Sequence, residues 1–126
     1  MMQQWNTPAQ MVAFLAFVSA FGCTTSKAEF PKGTYSSVST SHEHWDVVFA
    51  DQSRFHVTRD GRIGVEGQYV STANRVVFSN EKGPDGCGNE TGTYNWRRNG
   101  DTLRLTAVQE PCVGRRNVMQ RLVARK

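Results

Sequence analysis

After residue 32, apolar and polar residues alternate with a period of two almost to the end of the chain, and no segment holds a helical period. In HWDVVFADQSRFHVTRDGRIGVEG, Trp45, Val47 and Phe49 alternate with Asp46, Val48 and Ala50, and a turn near 51–53 leads into Phe55 and Val57. Pairing Phe49 with Phe55 sets Val47 opposite Val57, so all four share a face. A three-residue loop, Arg59-Asp60-Gly61 with Gly61 left-handed, then pairs Val57 with Ile63 and Phe55 with Val65. Farther along, Asn99-Gly100 predicts a tight hairpin, because both residues tolerate positive φ. Pairing Arg98 with Asp101 places Trp96 opposite Leu103 and Tyr94 opposite Leu105.

The pattern predicts eight strands: 33–40, 45–51, 54–59, 62–70, 75–80, 92–98, 101–109 and 117–124. Antiparallel neighbours with one apolar face each, in a chain of 126 residues, are best served by an all-β, up-and-down antiparallel barrel. Closure removes the exposed edges that an open sandwich, the alternative, would keep. The last strand is internally inconsistent, since Val118, Leu122 and Ala124 favour one face and Met119 and Val123 the other. Gly33-Thr34-Tyr35, Gly67-Gln68-Tyr69 and Gly92-Thr93-Tyr94 recur as a hairpin device: Gly permits close approach, and Tyr covers the core while keeping its hydroxyl wet.

Three features resemble small lipocalin-like barrels of the calycin kind, in particular the compact exported or lipid-anchored bacterial ones, over about residues 30 to 126. Gly33-Thr34-Tyr35 is similar to the lipocalin Gly-x-Trp, with Tyr in place of Trp. The Gly-x-Tyr-x-Trp hairpin of residues 92–96, then Leu103-Arg104-Leu105, then Cys112 with Arg115 and Arg116, is similar to the closing half of such barrels. Arg121 matches the Arg that packs across the first-strand aromatic. The resemblance implies noncovalent binding of a small hydrophobic or amphipathic ligand at the open end. Aromatics near strand ends, Tyr35, Trp45, Tyr69, Tyr94 and Trp96, are the expected ligand-binding residues. The remaining inward positions, Val47, Phe49, Phe55, Val57, Ile63, Val65, Phe78, Leu103 and Leu105, are expected to pack on one another.

Ahead of the barrel, MVAFLAFVSAFG is apolar, uncharged and too short to span a bilayer, which reads as the hydrophobic part of a signal peptide over 1–22. The preceding ten residues carry no Lys or Arg, and a buried N-terminal helix is the alternative. Two cleavage sites compete. Val18-Ser19-Ala20 suits an ordinary signal peptidase, whereas Ala20-Phe21-Gly22-Cys23 resembles a lipobox, making Cys23 a lipid anchor. Residues 23–32 form a polar tether to a barrel domain over 33–126. Of three cysteines, Cys87 and Cys112 lie in the strand-rich part and are the expected disulfide in an oxidising compartment. The localisation expected is therefore export, to the periplasm or the outer membrane through a lipid anchor, or else secretion.

Charge adds one feature. The formal balance is +4, and from Arg97 onward eight basic residues face only Asp101 and Glu110. A basic surface attracts anionic partners, and Arg115 and Arg116 are the expected partner surface. An exported chain meets no nucleic acid, so the partner is a small ligand or a protein, with membrane contact only through the N-terminal lipid and the chain a monomer.

No catalytic chemistry emerges, and no cofactor is called for. His42-Glu43-His44 with His56 suggests a metal, but in the proposed register His56 opposes Val48, about 13 Å along a strand from His44. No Gly-x-Ser-x-Gly elbow occurs, and the glycine-rich stretch 83–88 lacks the Lys-Ser/Thr of a phosphate loop. The chain is thus expected to be a non-enzymatic carrier, or alternatively a protein-binding module such as an inhibitor of a secreted hydrolase. In the second case the contacts fall on the loop 80–91 or on Arg115 and Arg116.

Overall fold

The structure is a computed structural model that describes residues 29–38 and 42–125. The expected signal segment, its cleavage sites, Cys23 and most of the tether lie outside the described residues. The chain forms β1 (Gly33–Ser37), β2 (Trp45–Phe49), β3 (Arg54–Arg59), β4 (Arg62–Ser71), β5 (Arg75–Lys82), β6 (Gly92–Asn99), β7 (Thr102–Gln109), α1 (Val113–Met119) and β8 (Arg121–Ala124). Each strand pairs with the next and β8 returns to β1, closing an antiparallel barrel of eight strands. All eight described strands then have two partners, which removes the two edge strands of an open sheet.

The first hairpin has the register that alternation predicts: Phe49 faces Phe55, Val47 faces Val57 and Val48 faces His56. At the second, the loop is shorter than expected. Arg59 pairs with Arg62 across Asp60 and Gly61, whose φ values of 51° and 87° suit a two-residue turn. A bulge then follows, so Val57 meets Val65 and Thr58 meets Ile63. That extra residue turns Ile63 outward, where it is 54% exposed instead of in the core. In the Asn99-Gly100 hairpin the turn sits one residue later, on Gly100-Asp101, and only Gly100 has positive φ (63°). Trp96 therefore pairs with Leu105, and Tyr94 with Ala107. The slip is two residues and leaves every side chain on its predicted face.

The last expected strand is instead a turn of helix followed by a short strand. Arg115, Val118 and Met119 share the buried face of α1 at i, i+3 and i+4, and only Leu122 resumes strand alternation. This resolves the conflict of faces between Val118 and Met119. Arg121 is exposed on the outer wall and does not cross the first-strand aromatic; the Tyr35 hydroxyl donates instead to the Pro31 carbonyl at 3.1 Å.

Aromatic side chains fill the middle of the barrel. Phe49 packs against Phe30, Tyr35, Phe55, Tyr69 and Phe78 with ring centroids 4.8–6.4 Å apart. Phe30, in the stretch expected to be a tether, is 6% exposed and plugs the end that carries the turns at 50–53, 72–74 and 100–101. The opposite end is capped by α1 and the 83–91 loop, which the Cys87–Cys112 disulfide joins with a Cα separation of 6.1 Å. The middle of the barrel is thereby a packed core, with a cavity at the capped end.

Candidate functional site

Two bulges shape the capped end. On β5, Gln68 pairs with Ser79 but Glu66 pairs with Lys82, so β5 carries one extra residue, with Asn80 at φ 52°. On β7, Tyr94 pairs with Ala107 but Thr93 with Gln109, so Val108 is the extra residue. Each bulge inverts the in–out alternation beyond it. As a result Glu81 and Glu110, which uninterrupted alternation would send outward, are turned into the barrel, at 6% and 7% exposure.

Arg115 meets both carboxylates from α1. Its Nε and Nη2 donate to the two oxygens of Glu110 at 2.6 and 2.9 Å, a bidentate fork, and Nη1 donates to Glu81 Oε2 at 2.7 Å. Nη2 also donates to the Glu90 carbonyl at 2.9 Å, tying in the loop. The remaining carboxylate capacity is taken by the Cys87 and Cys112 amides and by the Tyr94 hydroxyl, which donates to Glu110 Oε2 at 2.5 Å. Burial pushes the Glu110 carboxyl up, but the hydrogen bonds from Arg115, Tyr94 and the Cys112 amide outweigh it and hold it below the ordinary value. Burial, reinforced by its bond to Glu110, raises the Tyr94 hydroxyl well above its ordinary range. Arg115 was expected on a basic outer rim and is instead 5% exposed, with its charge spent inside the fold. Arg116, one residue on, faces solvent and donates to the Glu110 carbonyl at 3.2 Å.

Beneath α1 and beside this cluster lies a cavity of about 350 Å³. Trp45, Phe55, Val57, Val65, Val118 and Met119 form its apolar walls, and Glu81, Asp85, Asn117 and Arg115 supply polar groups. Trp45 is half-buried and held by Arg59, whose guanidinium carbon lies 5.6 Å from the ring centroid. Arg59 also reaches Asp85 at 3.5 Å and Glu43 at 3.2 Å.

The five aromatics expected to line one mouth are divided between the two ends. Trp45 lines the cavity. Tyr94 is fully buried between the core and the charge cluster. Tyr35, Tyr69 and Trp96 belong to the plugged end, where the Tyr69 hydroxyl donates to the Ala50 carbonyl at 3.3 Å and Trp96 Nε1 to the Thr72 carbonyl at 3.1 Å. Burial raises both Tyr35 and Tyr69 above the ordinary phenol value. Sequence reading missed Glu81, Glu110 and the inward role of Arg115. The available signals were the Asn within a strand at position 80 and the single helical turn hidden in Arg115, Val118 and Met119.

The histidines do not converge. His44 Nε2 lies 3.0 Å from Asp46, which also pairs with Arg125 at 2.8 Å, while His56 faces Val48. Among the described residues no group of three His, Cys, Asp or Glu is placed to hold a metal. No family model, curated protein or solved structure matches this chain.

Proposed function

We propose that the protein is an exported, non-catalytic, lipocalin-like binding protein that takes a small hydrophobic or amphipathic molecule in the cavity beneath α1. The observation that carries the reading is the cavity itself. Its volume of about 350 Å³ falls in the range of small-molecule sites, and an apolar wall with a few polar groups at one side suits an amphipathic guest. Export is supported by the disulfide, which is compatible with an oxidising compartment. Anchoring through Cys23 belongs to the same proposal.

A titration with the neutral apolar fluorophore N-phenyl-1-naphthylamine tests it, alongside native mass spectrometry for a co-purifying small molecule. Trp45→Ala removes a cavity wall and is expected to weaken probe binding severalfold, whereas Trp96→Ala, at the plugged end, leaves it unchanged. Equal effects of the two substitutions, or no saturable binding, would overturn the assignment of the site.

A second reading, capture of a protein such as a secreted hydrolase, draws on the loop at the capped end. It is braced by the disulfide and by internal bonds from Gly86 N to the Gly83 carbonyl and from Glu90 N to the Cys87 carbonyl. A loop held this way loses little entropy on binding. Arg116 remains available to such a partner; Arg115 does not.

A further inference from the structure

On the outer wall, opposite in character to the aromatic interior, three arginines stand directly across adjacent strands. Arg97 on β6 pairs with Arg104 on β7, and Arg104 pairs with Arg121 on β8. All three are exposed, and their strand neighbours Trp96, Leu103, Leu105 and Leu122 belong to the core side. Neighbouring strands lie about 4.8 Å apart, so these are like charges at the closest cross-strand spacing, an arrangement that destabilises a sheet. Among the described residues, no ion pair engages Arg97, Arg104 or Arg121. Packing and local electrostatics therefore give no reason for the row.

A concave site adjoins it. β7 continues to Gln109, but β8 begins only at Arg121, so the two strands part above Arg104 and α1 bridges the gap. The resulting cleft is lined by Arg104, Thr106, Arg116, Gln120 and Arg121, with Val38 at its edge. Three arginines, a threonine and a glutamine are among the residues that line this space, and no Asp or Glu lines it. Arg116 has a structural role near the end of α1 and on the Glu110 carbonyl; Arg104 and Arg121 have none.

We propose that this cleft binds a phosphate monoester group. A carboxylate carries one negative charge on two oxygens, and a single guanidinium balances that charge. A phosphate monoester carries about −1.5 to −2 charges and three terminal oxygens, enough to meet three guanidiniums at once. The ligand differs from the apolar guest of the cavity, and the cleft opens on the outside of the barrel. Phosphate on a soluble ester and phosphate on a lipid headgroup present the same chemistry there.

The test uses the full chain as purified from cells, at low salt. Inorganic phosphate is titrated while the arginine Nε–H resonances are followed by NMR, and co-sedimentation is measured with phosphatidylcholine vesicles with and without phosphatidic acid. The double substitution Arg104→Gln with Arg121→Gln is run in parallel. Saturable shifts of Arg104, Arg116 and Arg121 with free phosphate support the site and point to soluble esters; co-sedimentation that phosphatidic acid raises above the level with phosphatidylcholine alone supports it and points to a lipid source. In either case the double variant binds at least about tenfold more weakly, from the loss of charge-assisted bonds. Relief of the like-charge row should also raise its thermal midpoint by roughly 2–4 °C, a gain that added salt removes. A midpoint that falls would assign the arginines to structure and overturn the proposal. So would absence of saturable binding, binding unchanged in the double variant, or polyglutamate binding as tightly as phosphate, which would instead mark a surface for an acidic protein.

Discussion

Replacing Arg115 with Met removes a cation whose side chain is 2% exposed and which lies between two carboxylates at 2% and 0%. The substitution keeps the volume and apolar stem but deletes the bidentate fork to Glu110, the single bond to Glu81 and the bond to the Glu90 carbonyl. Breaking one partner out of a buried ionic group costs about 3–5 kcal/mol, mostly from the charges left unpaired. The amides of Cys87 and Cys112 and the Tyr94 hydroxyl still serve the carboxylates, which argues for the lower half of that range. Against a total of about 5–15 kcal/mol for a domain, the loss is large but measurable. Urea unfolding of the oxidised protein gives the value, with Arg115→Lys, which offers a point charge and no fork, expected between wild type and Met.

The decisive readout is the sign of the pH dependence. In the native protein Glu110 is held below its ordinary 4.5, so its contribution is present above that pH and is lost as pH falls through the folded value. Without the guanidinium, burial dominates and the same carboxyl rises above its unfolded value. Its stability contribution is then present in acid and lost as pH climbs. The deficit of Arg115→Met should therefore widen from pH 4 to pH 7. The triple change Arg115→Met, Glu81→Gln, Glu110→Gln should recover much of the loss. A cost under about 1 kcal/mol at pH 7, with a pH profile parallel to wild type, would refute the account of this cluster.

Other expectations follow from neighbouring features. The Cys87–Cys112 bridge closes a 25-residue separation, so Cys87→Ser with Cys112→Ser should lower unfolding stability by about 3 kcal/mol and increase amide exchange in the 83–91 loop. A Cβ at Gly92 would overlap the Glu110 carboxylate and stand 2.8 Å from Arg115 Nε, so Gly92→Ala should destabilise by about 1–3 kcal/mol, whereas Gly114→Ala, with open space around it, should be neutral or better by thermal denaturation. At the alkaline limit Tyr94, raised above its ordinary 10.0, favours the fold below pH 10; stability should fall as pH rises past that value, and Tyr94→Phe should flatten the fall while costing stability at neutral pH.

Much of the barrel is legible along the chain because period-two alternation and turn residues are local. The pair Phe49 and Phe55, the Asp60-Gly61 turn and the Gly100 hairpin each draw on residues a few positions apart. Even the misplaced turn at Gly100 preserved faces, since a slip of two residues restores parity. The disulfide was legible for a different reason: only two of the three cysteines lie within the strands and their connections.

The sites depend on events that local patterning does not carry. A bulge is set by how many residues a strand needs to match its partner, and it shows in the sequence only as an ambiguous Asn80, Val108 or Gly64. Those single insertions expose Ile63 and bury Glu81 and Glu110. Arg115 reads as one more basic residue in a basic tail until its partner 34 positions earlier is turned toward it. Phe30 likewise became a plug only once closure created an end to fill. The sequence by itself determined the first seven strands, most of their inward faces and the closure, since each follows from burying one side of an alternating chain. Tertiary structure alone decided which charges go inside, because a buried charge is tolerable only where distant partners meet it.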